Sequence, residues 1–333
     1  MSISTKQNIR TDHVANDWKP RPELREAMQR IATIAVDDHT AVIGEKEMTF
    51  QNGAERTTIS ASPINVDTCD GHRIAEIITI RTPLTSFKLF DEKRYAFINI
   101  FATTGAVVRD ADGKDAILSR LPLFEDDTDA LTDLNTPLIA NGARLHLVGP
   151  ICGLYQFEGR KEEYTSADVM LPSWDERSFW SAEDFENARE KLSHHGVFGT
   201  VGPRALTAEL PWDADATSAM FGERTSLLEI RADVPHPAAG NGLFFRLNLP
   251  LNFSDEEAQS WAAWLNRSEA EAIDTPPFFG AWCSFPKSGT LSFGGFWPNL
   301  LYRPGTVSTI AFWCAARNRF ARQLIEGSAD RTH

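Results

Sequence analysis

The sequence predicts an α+β protein of two similar domains, each an antiparallel sheet packed with helices in the order α-β-β-β-α-β-β-α. Three observations lead there. Amphipathic stripes and short strand-like runs follow one another in that order through the second half, and the same order can be traced in the first. Turn-forming Gly and Pro recur at matching places, and 333 residues accommodate two domains of about 100–200 residues. Eight of the nine tryptophans lie beyond residue 173, and a polar stretch at 158–180, GRKEEYTSADVMLPSWDERS continuing to Trp180, separates the halves. The predicted domains are therefore 1–157 and 181–333, with 158–180 as the linker.

In the second half, Ser181-Ala-Glu-Asp184 has the spacing of a capping box, Phe185, Ala188 and Leu192 share a helical face, and Gly196 suits the C-terminus. Strand-like segments follow at 205–210, 226–232 and 242–249, the last two joined by the turn-rich VPHPAAGN. Ser254-Asp-Glu-Glu257 then caps a helix with Ala258, Trp261, Ala262 and Leu265 at i, i+3, i+4 and i+7. FGAWCSF and TLSFGGFW flank Pro286-Lys-Ser-Gly289 as a hairpin. A closing helix over 306–326 is expected to stop at Gly327, with Arg317, Arg319 and Arg322 near its negative end.

The first half reads likewise. Pro20 and Pro22 precede a helix over 23–36 with Leu24, Ala27, Met28, Ile31 and Ala35 on one stripe. Strands are expected at 47–50, 57–64 and 74–82, and Asp91 caps a helix through Tyr95, Phe97 and Ile98. AVVRD and AILSRL flank the turn Asp110-Ala-Asp-Gly113, and 127–140 forms the closing helix. Across the halves Pro83 matches Pro250, Asp91 matches Asp255, and Gly113 and Pro122 each match a residue 176 positions on (289 − 113, 298 − 122).

The segments LLEIRADVPHPAAGNGLFFRLNLPLNFSDEEAQSWAAWLN (227–266) and AWCSFPKSGTLSFGGFWP (281–298), in that element order, resemble the bacterial type III secretion chaperone-like fold, which also includes small stress-associated sensory-regulator proteins. The resemblance implies a chaperone-like bacterial protein. Because such relatives are usually single domains that dimerise, it also implies an internal pseudo-dimer.

Composition narrows the function classes. With 33 Lys and Arg against 46 Asp and Glu the net charge is −13, which repels nucleic acid and anionic membranes at long range. No stretch approaches the ~18 consecutive apolar residues of a membrane helix. The opening MSISTKQNIRTDHVANDWKP lacks the apolar core of a secretory signal. Cys69, Cys152, Cys283 and Cys314 are widely spaced and form no C-x-x-C, as expected of reduced thiols in a cytoplasmic protein. Asn252-Phe-Ser and Asn266-Arg-Ser match glycosylation acceptors by chance in such a context.

No catalytic residue, metal ligand or cofactor site emerges. His194 and His195 are adjacent, so they point to different sides of a helix and complement its dipole rather than forming an i, i+4 zinc pair. His236 lies between two prolines with no nucleophile near it in sequence, and His72 sits in a similar turn. Asp110-Ala-Asp-Gly113 has its glycine too early for a calcium loop, and the acidic run Glu125, Asp126, Asp127 and Asp129 suits a helix start. Gly199-Thr-Val-Gly202 and Gly240-Asn-Gly242 lack the third glycine of a dinucleotide site, and Ser288 lacks a nucleophile elbow. Cys283 and Cys314 read as buried, inert thiols.

The positive feature is aromatic. Trp261, Trp264, Trp282, Phe296, Trp297 and Trp313 crowd one window of the C-terminal domain. Such side chains fill a core, form an oligomer interface or anchor a partner. The expected function is non-catalytic binding of a protein or extended peptide at this aromatic surface. The alternative is an enzyme or small-ligand sensor with a pocket between the domains.

Overall fold

The computed structural model describes residues 42–44, 46–52, 55–67, 73–85, 95–101, 105–109, 113–124, 179–212, 224–236, 240–271, 280–285, 287–299 and 304–329, with residues 19, 21, 22, 25, 26 and 302. Of the helix expected at 23–36 only residues 25 and 26 are described, and the helix expected at 127–140, the Asp91 cap and the 158–178 part of the linker lie outside the described residues.

The first half contains β1 (Val42–Ile43), β2 (Glu47–Asn52), β3 (Glu55–Asp67) and β4 (Arg73–Pro83). These are followed by a helical turn α1 (Tyr95–Ile98), a 3-10 turn (Asn99–Phe101), and the hairpin β5 (Ala106–Arg109) and β6 (Asp115–Phe124). The second half contains α2 (Ala182–Ser193), β7 (Gly199–Gly202), β8 (Ala205–Pro211), β9 (Thr225–His236) and β10 (Gly240–Asn248). Then come α3 (Asp255–Glu271), β11 (Ala281–Ser284), β12 (Leu291–Pro298) and α4 (Thr306–Ala329).

Each half builds one six-stranded antiparallel sheet, in the order β1-β2-β3-β4-β6-β5 and, read from the matching end, β7-β8-β9-β10-β12-β11. The α+β class with two similar sheet-and-helix domains is thus the observed one. Each sheet has one strand more than expected before its middle helix. The extra strands, β1 and β7, are two and four residues long at the outer edge, too short for alternation to show.

The two sheets also share their register. Ala106 faces Leu118 and Val107 faces Ile117 in one hairpin; Ala281 faces Gly294 and Trp282 faces Phe293 in the other. This preserves the 176-residue spacing of Gly113 with Gly289 and of Pro122 with Pro298. The same ladders align Ile59 with Ile230, Thr49 with Thr207, Gly44 with Gly202 and Arg81 with Arg246. They correct the pairing of Pro83 with Pro250: Pro83 faces Ala116 as Asn248 faces Ser292, so Asn248 is its counterpart.

Alternation drives the packing. In β8 Leu206, Ala208 and Leu210 point inward, in β9 Ser226, Leu228 and Ile230, and in β10 Leu243, Phe245 and Leu247. Helices α2, α3 and α4 pack on the second sheet. The capping boxes form as expected at Ser181–Asp184 and Ser254–Glu257. Helix α4 runs through Gly327 to Ala329, because a helix interior tolerates a single glycine at about 1 kcal/mol.

The halves meet reciprocally. Helical turn α1 packs against α3 and β11, while α3 packs against β5. Ala106, Val108 and Ala281 form a small core there, with Leu118 and Ala270 against it. Each half also carries the same buried clamp. The Asn99 amide donates to the Val107 carbonyl at 3.1 Å and accepts from the Val107 N–H at 2.8 Å. Asn266 does the same to Trp282, at 2.8 Å in both directions. Asn99→Ala or Asn266→Ala leaves a buried donor and acceptor without partners, and each is expected to cost about 1–3 kcal/mol. Urea unfolding followed by circular dichroism checks this; unchanged midpoints for both variants would overturn the role of the clamp.

Candidate functional site

The site is built on α3. Its first turn carries Asp255, Glu256 and Glu257, whose charges complement the positive end of the helix dipole. The Glu257 carboxylate accepts from the Ser254 N–H and hydroxyl, at 2.9 and 2.7 Å. Those bonds, the hydroxyl's first, hold its carboxyl below the usual range, so it stays ionised. The Asp255 carboxylate accepts from the backbone N–H groups of Lys287 and Gly289, at 2.6 and 3.1 Å, and fixes the β11–β12 turn against the helix start. Gly289 has φ +58°, and a Cβ there would lie 2.0 Å from the Phe253 carbonyl oxygen, so the turn requires glycine.

Helix α3 has a buried stripe and a partly open one beside it. Ala258, Ala262 and Leu265 face the core with the clamp residue Asn266 and with Glu269, all buried. Ser254, Glu257, Trp261 and Trp264, at spacings of three, four and three, form a neighbouring stripe that stays partly outside. Trp261 and Trp264 are half-buried and meet edge to face, centroids 5.3 Å apart, with Phe253 6.3 Å from Trp261. With Ser254, Glu256, Glu257 and Ser260 they line an open groove of about 780 Å³.

The structure divides the six aromatic residues expected to form one surface. Trp282, Phe296 and Trp297 are core residues, 0%, 3% and 4% exposed, and no partner reaches them in this state. Trp313 is half-buried on α4, 6.0 Å from the Trp297 ring, and Phe296 lies 4.8 Å from His236. Of the six, Trp261 and Trp264 line the described groove.

Toward the C-terminal end of α3 lies a buried charged network that the sequence did not disclose. Glu269 and Arg317, each with its side chain 1% exposed, form an ion pair at 2.9 Å. The second Glu269 oxygen accepts from the Trp282 indole N–H at 2.6 Å, and the Arg317 guanidinium lies 5.2 Å from the Phe293 ring centre. From the other half, Arg120 donates to the Glu269 and Ala270 carbonyls at the end of α3, at 3.3 and 3.5 Å. Arg317 is therefore not a solvated charge near a helix end. Its signal was present in the sequence only as a Glu and an Arg spaced 48 residues apart on two amphipathic helices.

The other described candidates are placed as follows. His195 packs edge to face on Phe312, and His236 is half-buried. Among the described residues no group of three His, Cys, Asp or Glu side chains could hold a metal. Gly199–Gly202 is strand β7, and the Ser288 hydroxyl donates to the Phe285 carbonyl. Asn266 is 1% exposed and unavailable to glycosylation. His72, Cys69, Cys152, Asp110 and the acidic run at 125–129 lie outside the described residues. In the first half Tyr95 is 1% exposed, receives a hydrogen bond from Arg109 at 3.1 Å and has its hydroxyl pushed up by burial and by Asp115. Among the described residues no helix is long and apolar enough to cross a membrane. In comparisons with known proteins, no family model, curated protein or solved structure matches the chain.

Two predictions follow from the interior of this site. Arg317→Met strands the Glu269 charge and is expected to cost about 3–5 kcal/mol, while adding Glu269→Leu should recover much of that; paired urea titrations read both. Burial pushes the Cys283 and Cys314 thiols up to about 12, from an ordinary value of 9.0. The folded chain keeps protons that the unfolded chain releases, so this contribution is complete below pH 9.0 and is lost as pH rises toward about 12. Thiol labelling at about pH 8, mapped by mass spectrometry, should leave both cysteines unmodified until the chain unfolds.

Proposed function

We propose that this chain is a non-catalytic, chaperone-like or regulatory cytoplasmic protein that binds a protein or extended peptide segment along α3. One observation carries the reading: α3 buries one stripe in the core and leaves a second, with the Trp261–Trp264 pair, open beside carboxylates and hydroxyls. Partner-binding surfaces favour paired, half-exposed indoles because each buries a large area with few rotors to freeze. The resemblance to the type III secretion chaperone-like fold supports the same reading, with the two halves as an internal pseudo-dimer.

Selection of peptides of about 12 residues from a randomised display library against the full chain tests the proposal. Enriched peptides should bind with micromolar or tighter affinity, and Trp264→Ala should weaken them at least ~10-fold while the melting curve is retained. Failure to enrich any peptide, or enrichment indifferent to Trp261→Ala and Trp264→Ala together, would overturn it.

A further inference from the structure

We propose that the outer edge of β7 is a two-fold contact for a second copy of this chain, joined strand to strand with Phe198 of each copy over Gly202 of the other. The surface is separate from the α3 groove and does not depend on what that groove binds. β7 is the last strand of its sheet. Phe198, immediately before it, is 80% exposed, and Thr200 is exposed on the same face. A ring that open adds nothing to the core of its own chain. Edge strands that stay single are commonly blunted by charge, proline or a bulge, and β7, Gly-Thr-Val-Gly, contains none of these.

The hydrogen-bond pattern selects the register. The Phe198 carbonyl accepts from the Glu209 N–H at 3.3 Å, and Gly199 and Thr200 face Ala208 and Thr207. Alternate residues of an antiparallel strand address the same neighbour. Phe198, Thr200 and Gly202 therefore turn their backbone groups to β8, and Gly199 and Val201 turn theirs outward. If two copies placed Gly199 opposite itself, Val201 would face Val197, whose N–H already donates to the Leu192 carbonyl at 3.1 Å. If they placed Val201 opposite itself, Gly199 would face Pro203, which has no N–H. With Thr200 on the two-fold axis, Gly199 faces the partner's Val201, and both outward N–H groups of each copy meet carbonyls.

That register also fits the side chains. Phe198 then faces the partner's Gly202, beside the partner's Ala205 on β8. A Cβ added to Gly202 would meet nothing closer than the Ala205 Cβ at 3.9 Å, so the space over this glycine is open. An aromatic ring laid across from an edge glycine covers backbone that the glycine leaves bare. Each copy supplies one ring and one glycine, so the contact is self-complementary and closes at two chains. It covers well under the ~1,200 Å² of a standard interface, so the dimer is one that forms and separates readily.

Sedimentation velocity of the full chain tests this between about 5 and 500 µM, at about 0.3 M salt to screen the −13 charge of each copy. A monomer–dimer equilibrium is expected, with a dissociation constant on the order of 10–100 µM. Phe198→Ser should weaken it at least ~10-fold and leave the melting curve unchanged, because the ring stands in solvent in the single chain. Thr200 would meet its own counterpart as a non-hydrogen-bonded pair, with Cα atoms about 4.5 Å apart and within disulfide reach. Thr200→Cys should therefore link two chains through residue 200 on mild oxidation, mapped by mass spectrometry. Glu209→Cys, exposed one strand further in, should not link to itself. A chain that stays monomeric over this range, a dimer indifferent to Phe198→Ser, or one that Thr200→Cys fails to lock would each overturn the contact.

Discussion

Asn266 commits both ends of its side-chain amide to the backbone of one strand residue, Trp282, and Asn99 does the same for Val107. An asparagine amide presents a donor and an acceptor as a peptide group does, so each clamp continues the sheet's hydrogen bonding into the adjoining helical segment. β5 and β11 are the last strands in their sheets, and the clamps satisfy groups that such an edge would otherwise leave open. The clamp also fixes the rotation of α3 about its axis. With Asn266 locked inward, Ala258, Ala262 and Leu265 must face the core, and Trp261 and Trp264 come to rest on the neighbouring side. The open groove is thus a geometric result of a bond that does not touch it.

The network under α3 adds a second constraint. Burying Glu269 and Arg317 removes both from water at high cost, which their contact and the Trp282 indole bond offset. These partners come from α3, α4 and β11, so the arrangement tolerates only one relative placement of the three. Elsewhere the two halves fill the same register differently. Thr57 and Thr82 share a buried hydrogen bond at 2.8 Å where the other sheet sets Leu228 against Leu247. Similar topology therefore does not depend on identical cores; backbone pairing and the clamps suffice.

The sequence disclosed the elements whose signals are local. Capping spacings marked the starts of α2 and α3, turn glycines marked the hairpins, and alternation located most strands. The short edge strands were silent because two or four residues display no period. The Pro83–Pro250 match failed because proline marks the end of a strand without saying which residue it faces. Comparison of the Ala-Phe-Ile-Asn run at 96–99 with Ala-Trp-Leu-Asn at 263–266 offered the missing register, since both end on the clamp asparagine. The candidate surface was half legible: composition located the aromatic window, but whether an indole faces inward depends on α3's rotation, which tertiary bonds decide. Glu269 and Arg317 were invisible as partners for the same reason.

The reciprocal contact between the halves, α1 on β11 and α3 on β5, has the form of a two-fold interface between identical subunits. Here both sides of it belong to one polypeptide. The symmetry is closed as soon as the chain folds, at an effective concentration set by the tether rather than by the number of molecules in solution. Dilution cannot separate the halves. The two halves are also free to diverge residue by residue, as a homodimer's subunits are not.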